Sequence, residues 1–470
     1  MMLFRAMTHK KRSLGIIRIC LLFAVSLALA VPASAEWKEK VLYSFQGGAN
    51  DGSVPAGGVV FDPQGNLYGA TTDGGPASCK PIGGACGTVF QLTPPAHKGG
   101  SWTEALIYQF HGKGSNDASV PNSGLIRDAA GNLYGVTAYG GTGDCVLLGV
   151  QAGCGTVYEL SPPTQKGGAW TETILYSFPT AKQGYVPNGN LVFDGAGNLY
   201  GATTFGGGKG TTCDEFYQYC GSVFKLSPPK TKGGKWTEKV LYGFASGTDG
   251  ANPNGGLVLD SKDDIYGTTF GGGNESGPCG TGGCGTVFEL KPPATKGGAW
   301  TEKVLHRFKR DTSDGGNPMA GIRLDGLGSL YGATLNGGPG QYGTVFSLEP
   351  PSKRGGAWVE TVLHGFNGDQ QGAGPAARLI FDAHGVLYGT TALATNTTAQ
   401  GNVFRMMPPT QKGGRWGFNV LYTFKGHSDS AYPAADLVFG TGGRIFSTAR
   451  EGGTGQSCQG GCGTVFEVTQ

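Results

Sequence analysis

The chain has few charged residues, and their signs almost cancel. Charged side chains make up 15% of the 470 residues, with 36 Lys and Arg against 33 Asp and Glu. Five of the basic residues and none of the acidic ones fall within residues 1–35, which leaves 31 basic and 33 acidic residues, a formal charge of −2, in the remainder. A surface this close to neutral offers no electrostatic footprint for nucleic acid or for an anionic membrane. We therefore predict no nucleic-acid partner.

Sequence motifs of several common enzyme classes are absent as well. There is no GxSxG, no HExxH and no GxxxxGK[ST], and the six His beyond residue 35 are scattered over several columns of the repeats described below. No apolar stretch beyond residue 35 approaches the roughly 18 residues of a membrane-spanning helix. We predict no metal and no cofactor, and favour a non-enzymatic role.

Residues 1–35 have the three parts of a secretory signal peptide. Basic residues at 10–12 precede an apolar run at 14–30, and Ala33-Ser34-Ala35 fits a small-residue cleavage site. A retained N-terminal anchor is the alternative, which the cleavage site disfavours. We expect a secreted or periplasmic monomer that begins near Glu36 and has no transmembrane segment after cleavage.

Glycine and aromatic residues are plentiful, and they recur in a pattern. The 88 Gly and 26 Pro accompany 49 Phe, Tyr and Trp, enough aromatic surface to bury a large core. The seven Trp are almost evenly spaced, and each opens a segment such as "WTEALIYQF", whose alternation with a period of two predicts a strand. These residues are Trp37, Trp102, Trp170, Trp236, Trp300, Trp358 and Trp416.

Each repeat contains four such segments. An apolar run like "GLVLD", a "GNLYGATT" segment and a "GTVFEL" segment complete the unit. Sequential four-stranded units at a fixed period are typical of a β-propeller, whereas the rungs of a β-helix are much shorter. We predict an all-β fold in which residues 36–470 form a single seven-bladed β-propeller, with four antiparallel strands per blade.

The two ends of the repeat array predict how the ring closes. The array starts with a Trp segment at 37–45 and stops after "GTVFEV" at Val468, without an eighth Trp segment. If the "LVFD" strand is innermost and the Trp strand outermost, the last blade lacks its outer strand. We predict that residues 37–45 complete that blade, which also removes an exposed sheet edge.

The tandem unit "GGLVFDxxGNLYGATTxGG…CGTVFELxPP…KGGxWTExVLYxF" resembles the GloVer (Gloeo/Verruco) repeat of choice-of-anchor tandem repeat proteins. The resemblance covers almost all of residues 36–470. It implies an exported bacterial protein and supplies no catalytic residues. Family members often carry a C-terminal anchor, whereas this sequence ends at Gln470 directly after the last strand, so we do not expect anchoring.

Ten cysteines beyond Cys20 form five local pairs in the loop before "GTVF", and the fifth and sixth repeats have neither member. This pattern and the export signal predict disulfides. Zinc is the alternative, because one pair resembles ligand spacing, but the spacing drifts and no His lies nearby in the sequence. The pairs are Cys79/Cys86, Cys145/Cys154, Cys213/Cys220, Cys279/Cys284 and Cys458/Cys462.

An acidic column stands four residues before the Pro that leads into each inner strand. We expect it on the same face as the cysteine loops, around the mouth of the channel. A ring of carboxylates could bind calcium, but we favour a local role in stabilising the bend. The column comprises Asp51, Asp117, Gln183, Asp249, Asp314, Gln371 and Asp429.

Candidate binding residues lie at positions where the residue type differs from one repeat to another. Arg378 and Asp436 replace a recurrent Gly of the inner strand, as Asn190 does, and these two charges could simply pair with each other. Arg127 and Arg323 replace apolar residues of the same strands, and Arg lining a channel would favour an anionic ligand.

The third cysteine loop, "CDEFYQYC", combines aromatic and acidic side chains. This combination suits a contact with carbohydrate or protein, and ordinary loop packing is the alternative. The residues are Asp214, Glu215, Phe216, Tyr217 and Tyr219.

Two functions fit these features. The first is a non-enzymatic binding or scaffold propeller that presents a disulfide-stiffened loop face to an extracellular glycan or protein. The alternative is an extracellular polysaccharide lyase or hydrolase that uses the central funnel. Convergence of two carboxylates with His or Tyr in one pocket, rather than symmetrically around the ring, would favour the enzyme.

Overall fold

Seven antiparallel sheets follow one another along the described residues and together form a ring; five have four strands, and two have five because the innermost strand is split. This is the predicted seven-bladed β-propeller. The computed structural model describes residues 36–76, 86–147, 149–208, 220–231, 233–353, 355–393, 400–411 and 413–470. Trp37–Gln470 forms one compact unit.

Each blade takes one strand from each of four positions between the channel and the rim. The innermost strands are Gly52–Pro55 with Val60–Phe61, Ala118–Pro121 with Ile126–Arg127, Tyr185–Phe193, Val258–Leu259, Arg323–Leu324, Ile380–Phe381 and Val438–Phe439. The second strands are Leu67–Gly74, Leu133–Gly140, Leu199–Phe205, Ile265–Thr269, Leu330–Thr334, Leu387–Thr391 and Ile445–Ala449. The third strands are Thr88–Thr93, Thr156–Ser161, Ser222–Ser227, Thr286–Lys291, Thr344–Glu349, Asn402–Met407 and Thr464–Thr469. The outermost strands are Thr103–Gln109, Thr171–Ser177, Thr237–Gly243, Thr301–Arg307, Val359–Gly365, Gly417–Thr423 and Lys38–Ser44.

The described loops add short elements. Two-residue ribbons pair Val146–Leu147 with Val150–Gln151, Gly315–Gly316 with Asn336–Gly337, and Ser430–Ala431 with Glu451–Gly452. Short 3₁₀ helices span Lys113–Ser115, Ala181–Gln183, Gly277–Gly282 and Thr441–Gly443.

The first strand of the chain closes the ring, as predicted. Lys38–Ser44 pairs antiparallel with Thr464–Thr469, in a register that places Lys38 opposite Thr469 and Ser44 opposite Thr464. The seventh blade therefore contains both ends of the array, and its third strand has a partner on each side.

An aromatic contact joins each blade to the next. The Phe that follows each outermost strand is fully buried and lies against a Phe or Tyr in the third strand of the following blade. Phe45 meets Phe90 with ring centroids 5.1 Å apart, and Phe110 meets Tyr158 at 5.1 Å, both edge to face. The other pairs are Phe178–Phe224, Phe244–Phe288, Phe308–Phe346, Phe366–Phe404 and Phe424–Phe466.

These rings explain the recurrent "LYG" glycine of the second strand. A Cβ atom on Gly69 would lie 2.5 Å from the Phe90 ring, and one on Gly201 would lie 2.6 Å from the Phe224 ring. A side chain at Gly69 or Gly201 would require the ring to shift, whereas the seventh blade has Ser447 at this position opposite Phe466.

The chain crosses between blades through a residue with left-handed backbone. We call the Pro that leads into each inner strand the loop Pro. The residue before each loop Pro has a φ between 54° and 61°. Its N–H donates to a carbonyl just before the third strand of the preceding blade, as Val120 does to Cys86 at 2.7 Å and Asn252 does to Cys220 at 3.0 Å. The Asn252 side chain adds a bond to the carbonyl of Thr204 at 3.1 Å. A β-branched side chain is strained in this conformation, whereas Asn tolerates it.

Val120→Asn should therefore stabilise the fold by about 1–2 kcal/mol, by relieving backbone strain and adding one hydrogen bond. The reverse change, Asn252→Val, should destabilise it by a similar amount. Chemical denaturation of both variants checks this. Equal stability in the two variants would contradict the strain argument.

Deletion of residues 37–45 should expose the edge of Thr464–Thr469 and cause association, because an unpaired strand invites pairing with another chain. Size-exclusion chromatography with light scattering measures the effect. Lys38→Ala, at an exposed position of the same strand, is the control and should behave as the parent does. A soluble, monomeric deletion variant with unchanged melting temperature would refute the closure role.

Candidate functional site

Two sets of loops share one face of the propeller. The second and outermost strands of each blade run in the same direction, so the loops that follow them lie at the same end. We call this end the loop face. The N–H of Val54, in the strand Gly52–Pro55 that begins the first blade, donates to the carbonyl of Cys462 in the cysteine loop of the seventh blade, at 2.9 Å.

Disulfides hold the cysteine loops. The predicted pairs Cys145–Cys154, Cys279–Cys284 and Cys458–Cys462 are present. Cys86 and Cys220 are disulfide-bonded as well, while their predicted partners lie outside the described residues. So do the candidate binding residues of the third loop. The positions outside the description are Cys79, Cys213, Asp214, Glu215, Phe216, Tyr217 and Tyr219.

A cavity of about 280 Å³ occupies the mouth of the central channel, and all seven blades contribute to it. Its upper ring consists of the residues that follow the loop Pro. Blades two to four contribute amides, and the other four blades contribute alkyl side chains. In blade order the ring is Ala56, Asn122, Asn188, Asn254, Met319, Ala376 and Ala434.

A polar network crosses the channel below this ring. Asp436 Oδ2 accepts from Asn190 Nδ2, on the opposite side of the ring, at 2.9 Å and pairs with Arg378 Nη2 at 3.2 Å. The backbone N–H of Arg378 donates to the other Asp436 oxygen at 2.9 Å. Asn190 Oδ1 accepts from the N–H of Gly124 at 2.9 Å. We call these side chains the channel plug.

Asn190, Arg378 and Asp436 occupy one position of the repeat, and the other blades have glycine there. This glycine lets neighbouring inner strands approach closely. A Cβ on Gly58 would lie 2.3 Å from the carbonyl oxygen of Asp436, and one on Gly321 would lie 2.6 Å from that of Gly256. Adjacent inner strands therefore pack closely around the channel, and the plug crosses it below the cavity.

Two polar atoms of residues that line this pocket lack a hydrogen-bond partner within the described part of the chain. Arg378 Nε and Asn122 Oδ1 are buried and have no hydrogen-bond partner among the described residues. Arg450 lines the rim. Burial raises the pKa of Asp73, and the charge of nearby Arg450 opposes that rise.

The two other predicted Arg are placed differently. Arg323 is not part of the cavity lining but lies near the plug. Burial and then the charge of Arg378 lower its pKa, while Asp436 acts in the opposite direction. Arg127 does not line the cavity either. It acts on the preceding blade, where burial raises the pKa of Tyr68 and the charge of Arg127 offsets part of that rise.

The acidic column lies between blades and bonds to the backbone. Asp117 accepts from the N–H of Ala118 at 2.6 Å and from that of His111 at 2.8 Å, and also from the Tyr108 hydroxyl at 3.2 Å. Asp51 and Asp429 accept equivalent bonds. These bonds tie the end of one blade to the start of the next. Among the described residues, no three His, Cys, Asp or Glu are grouped to hold a metal ion.

A second carboxylate column, which sequence reasoning missed, packs against the first. It is the Glu of the "WTE" segment, which alternates in phase with the apolar Trp, Leu, Tyr and Phe of its strand and so belongs to the buried face. This alternation could have predicted from the sequence that the Glu side chain lies on the inward-facing side of its strand. Burial, followed by the charge of Asp117, raises the pKa of Glu172 to about 8. The others raised by burial to about 7 or 8 are Glu39, Glu104, Glu238, Glu302 and Glu360.

A family model for the Gloeobacter/Verrucomicrobia repeat matches residues 32–275, 145–354 and 278–470, which together span the whole propeller. The chain belongs to this family. No curated protein matches it significantly.

Several solved structures match this chain over much of its length at low sequence identity. One from Thermus thermophilus, described as an oxidoreductase (glucose dehydrogenase), has 14% identity and a TM-score of 0.38, with 92% of this chain and 100% of that one covered. Pseudomonas fluorescens PhoX in complex with vanadate has 11% identity and a TM-score of 0.45, covering 92% and 95%. PorZ, a surface component of the Porphyromonas gingivalis type-IX secretion system, has 12% identity and a TM-score of 0.46, covering 87% and 46%. None assigns an activity to this chain.

The buried Glu column should make the repeat protein less stable as the pH rises. Each folded-state pKa is above the ordinary value of 4.5, so the folded protein holds more protons than the unfolded chain between about pH 4.5 and 8. Stability falls with pH throughout such a window. The melting temperature should therefore fall between pH 6.5 and 8.5.

Glu172→Gln isolates this effect, because the amide stays neutral and can still donate to Asp117. The variant should match the parent at pH 6.5 and melt at a higher temperature at pH 8.5. Glu275→Gln, at an exposed position, should show no pH-dependent difference from the parent. A constant offset of the Glu172 variant at both pH values would contradict the assignment.

Proposed function

We propose that this chain is an exported, non-enzymatic binding module that presents its disulfide-stiffened loop face to a glycan. One observation carries the proposal: the seven-fold ring breaks its symmetry at the channel mouth, where amides line one side and alkyl groups the other. A concave pocket with a few convergent polar groups is the usual form of a small-ligand site. Amides that face alkyl surface suit the hydroxyls and the C–H face of a sugar better than they suit a protein surface.

Three observations support export. The family membership, the leader-like residues 1–35 and the disulfides of the loop face agree with an oxidising, extracytoplasmic location. Within the described residues, no helix has the length and apolar character needed to cross a membrane.

The hydrolase or lyase alternative lacks a comparable observation. Among the described residues that line the channel cavity, Asp436 is the single carboxylate, and none is His or Tyr. Carboxylate pairs with a Tyr do occur between blades, as in Asp117, Glu172 and Tyr108. They recur around the ring and are largely buried, which fits a structural role.

A glycan array screened beside a panel of polysaccharide-degradation assays tests the proposal. We expect binding without release of products. Asn122→Leu, which removes the amide and keeps the number of side-chain heavy atoms, should weaken binding about tenfold, the equivalent of ~1.4 kcal/mol.

Lys296→Ala, an exposed position on the opposite face, is the matched control and should bind as the parent does. Turnover of any polysaccharide, or an array with no bound glycan, would refute the proposal.

A further inference from the structure

The channel mouth also specifies what kind of sugar it takes. Resting on the proposed function, we infer that the pocket binds a terminal acidic sugar, with its carboxylate held by Arg378 and Arg450 and a hydroxyl donated to Asn122.

The charges at the pocket favour an anion. Arg378 and Arg450 line it beside a single carboxylate, Asp436. Inclusion of the adjacent Arg323 and Asp73 gives three guanidinium groups against two carboxylates, a net charge of +1. A small anion would balance this charge inside a partly desolvated pocket.

The hydrogen bonds point the same way. Both oxygens of Asp436 are already engaged, by Asn190 and by Arg378. Arg378 Nε remains a buried donor without a partner, and Asn122 Oδ1 remains a buried acceptor without one, among the described residues. Buried polar groups are normally satisfied, so a ligand toward which these two side chains turn would supply the missing partners. A carboxylate satisfies the guanidinium, and a hydroxyl satisfies the amide oxygen.

These two groups lie on opposite sides of the ring, in blades six and two. A ligand that engages both must therefore carry its carboxylate and a hydroxyl at opposite edges. Met319 and the Ala residues of the upper ring offer apolar contact beside the guanidinium side. A pyranose ring with one carboxylate and several hydroxyls has this distribution.

The channel plug restricts how such a sugar enters. The bonds between Asn190, Asp436 and Arg378 block passage along the channel axis. A volume of about 280 Å³ lies just below the ~300–1,000 Å³ of typical ligand pockets. The pocket therefore takes one residue at the end of a glycan, not a segment in the middle of a chain.

Calorimetric titration with matched ligands tests this inference. The ligands are an oligosaccharide with a terminal uronic acid, the same compound with that carboxyl reduced to an alcohol, and the free uronic acid. We expect the acidic oligosaccharide to bind at least tenfold more tightly than its reduced form, and its binding to weaken between 50 and 500 mM NaCl. Free uronic acid should compete for the site, because the terminal residue makes the contacts.

Arg450→Gln should remove most of this preference at unchanged fold stability, since the residue lies at the rim. Asn122→Leu should weaken both oligosaccharides by a similar factor. Lys296→Gln, which removes one positive charge from the opposite face, is the control and should keep the preference.

The outcomes separate this inference from the proposed function. Equal binding of the acidic and reduced oligosaccharides, or acidic binding that both pocket variants leave intact, would overturn the inference while the module remains a glycan binder. Absence of binding to every glycan would overturn both.

Discussion

Each blade is held to the next by one aromatic side chain that crosses the boundary between them. The Phe at the end of an outermost strand lies edge-on against a ring in the third strand of the following blade, as Phe45 does against Phe90 at 5.1 Å. That second ring in turn covers the glycine of "LYG", where a Cβ would come within 2.5 Å of it. Such pairs contribute about 0.5–1.5 kcal/mol beyond the area they bury. Their repetition around the ring fixes the spacing of all seven blades.

The bonds between blades reinforce this spacing. The carboxylates of the acidic column join the backbone at the end of one blade to the start of the next, and the buried Glu column packs against them. The left-handed residue before each loop Pro carries the chain across the same boundary. These features recur because every boundary meets the same geometric requirement, and their recurrence argues for a structural role.

Residues that depart from the repeat are not needed for these contacts between blades. In the inner column, Gly gives way to Asn190, Arg378 and Asp436, and these three side chains meet across the channel. The amides of blades two to four and the alkyl groups of the others divide the mouth into two chemically different halves. The symmetric contacts hold the ring, and the asymmetric ones give it a pocket.

The sequence by itself determined the strands, the number of blades, the closure by residues 37–45 and the three cysteine pairs that the structure describes in full, because alternation, spacing and short loops are properties of neighbouring residues. It also indicated that Arg378 and Asp436 could pair, since they share a column in adjacent blades. Only the tertiary structure decided that Asn190 reaches Asp436, that Arg127 acts on the preceding blade instead of lining the cavity, and that the Glu column is buried against Asp. Asn190 and Asp436 are 246 residues apart. Their contact depends on the width of the closed ring, which no local pattern encodes.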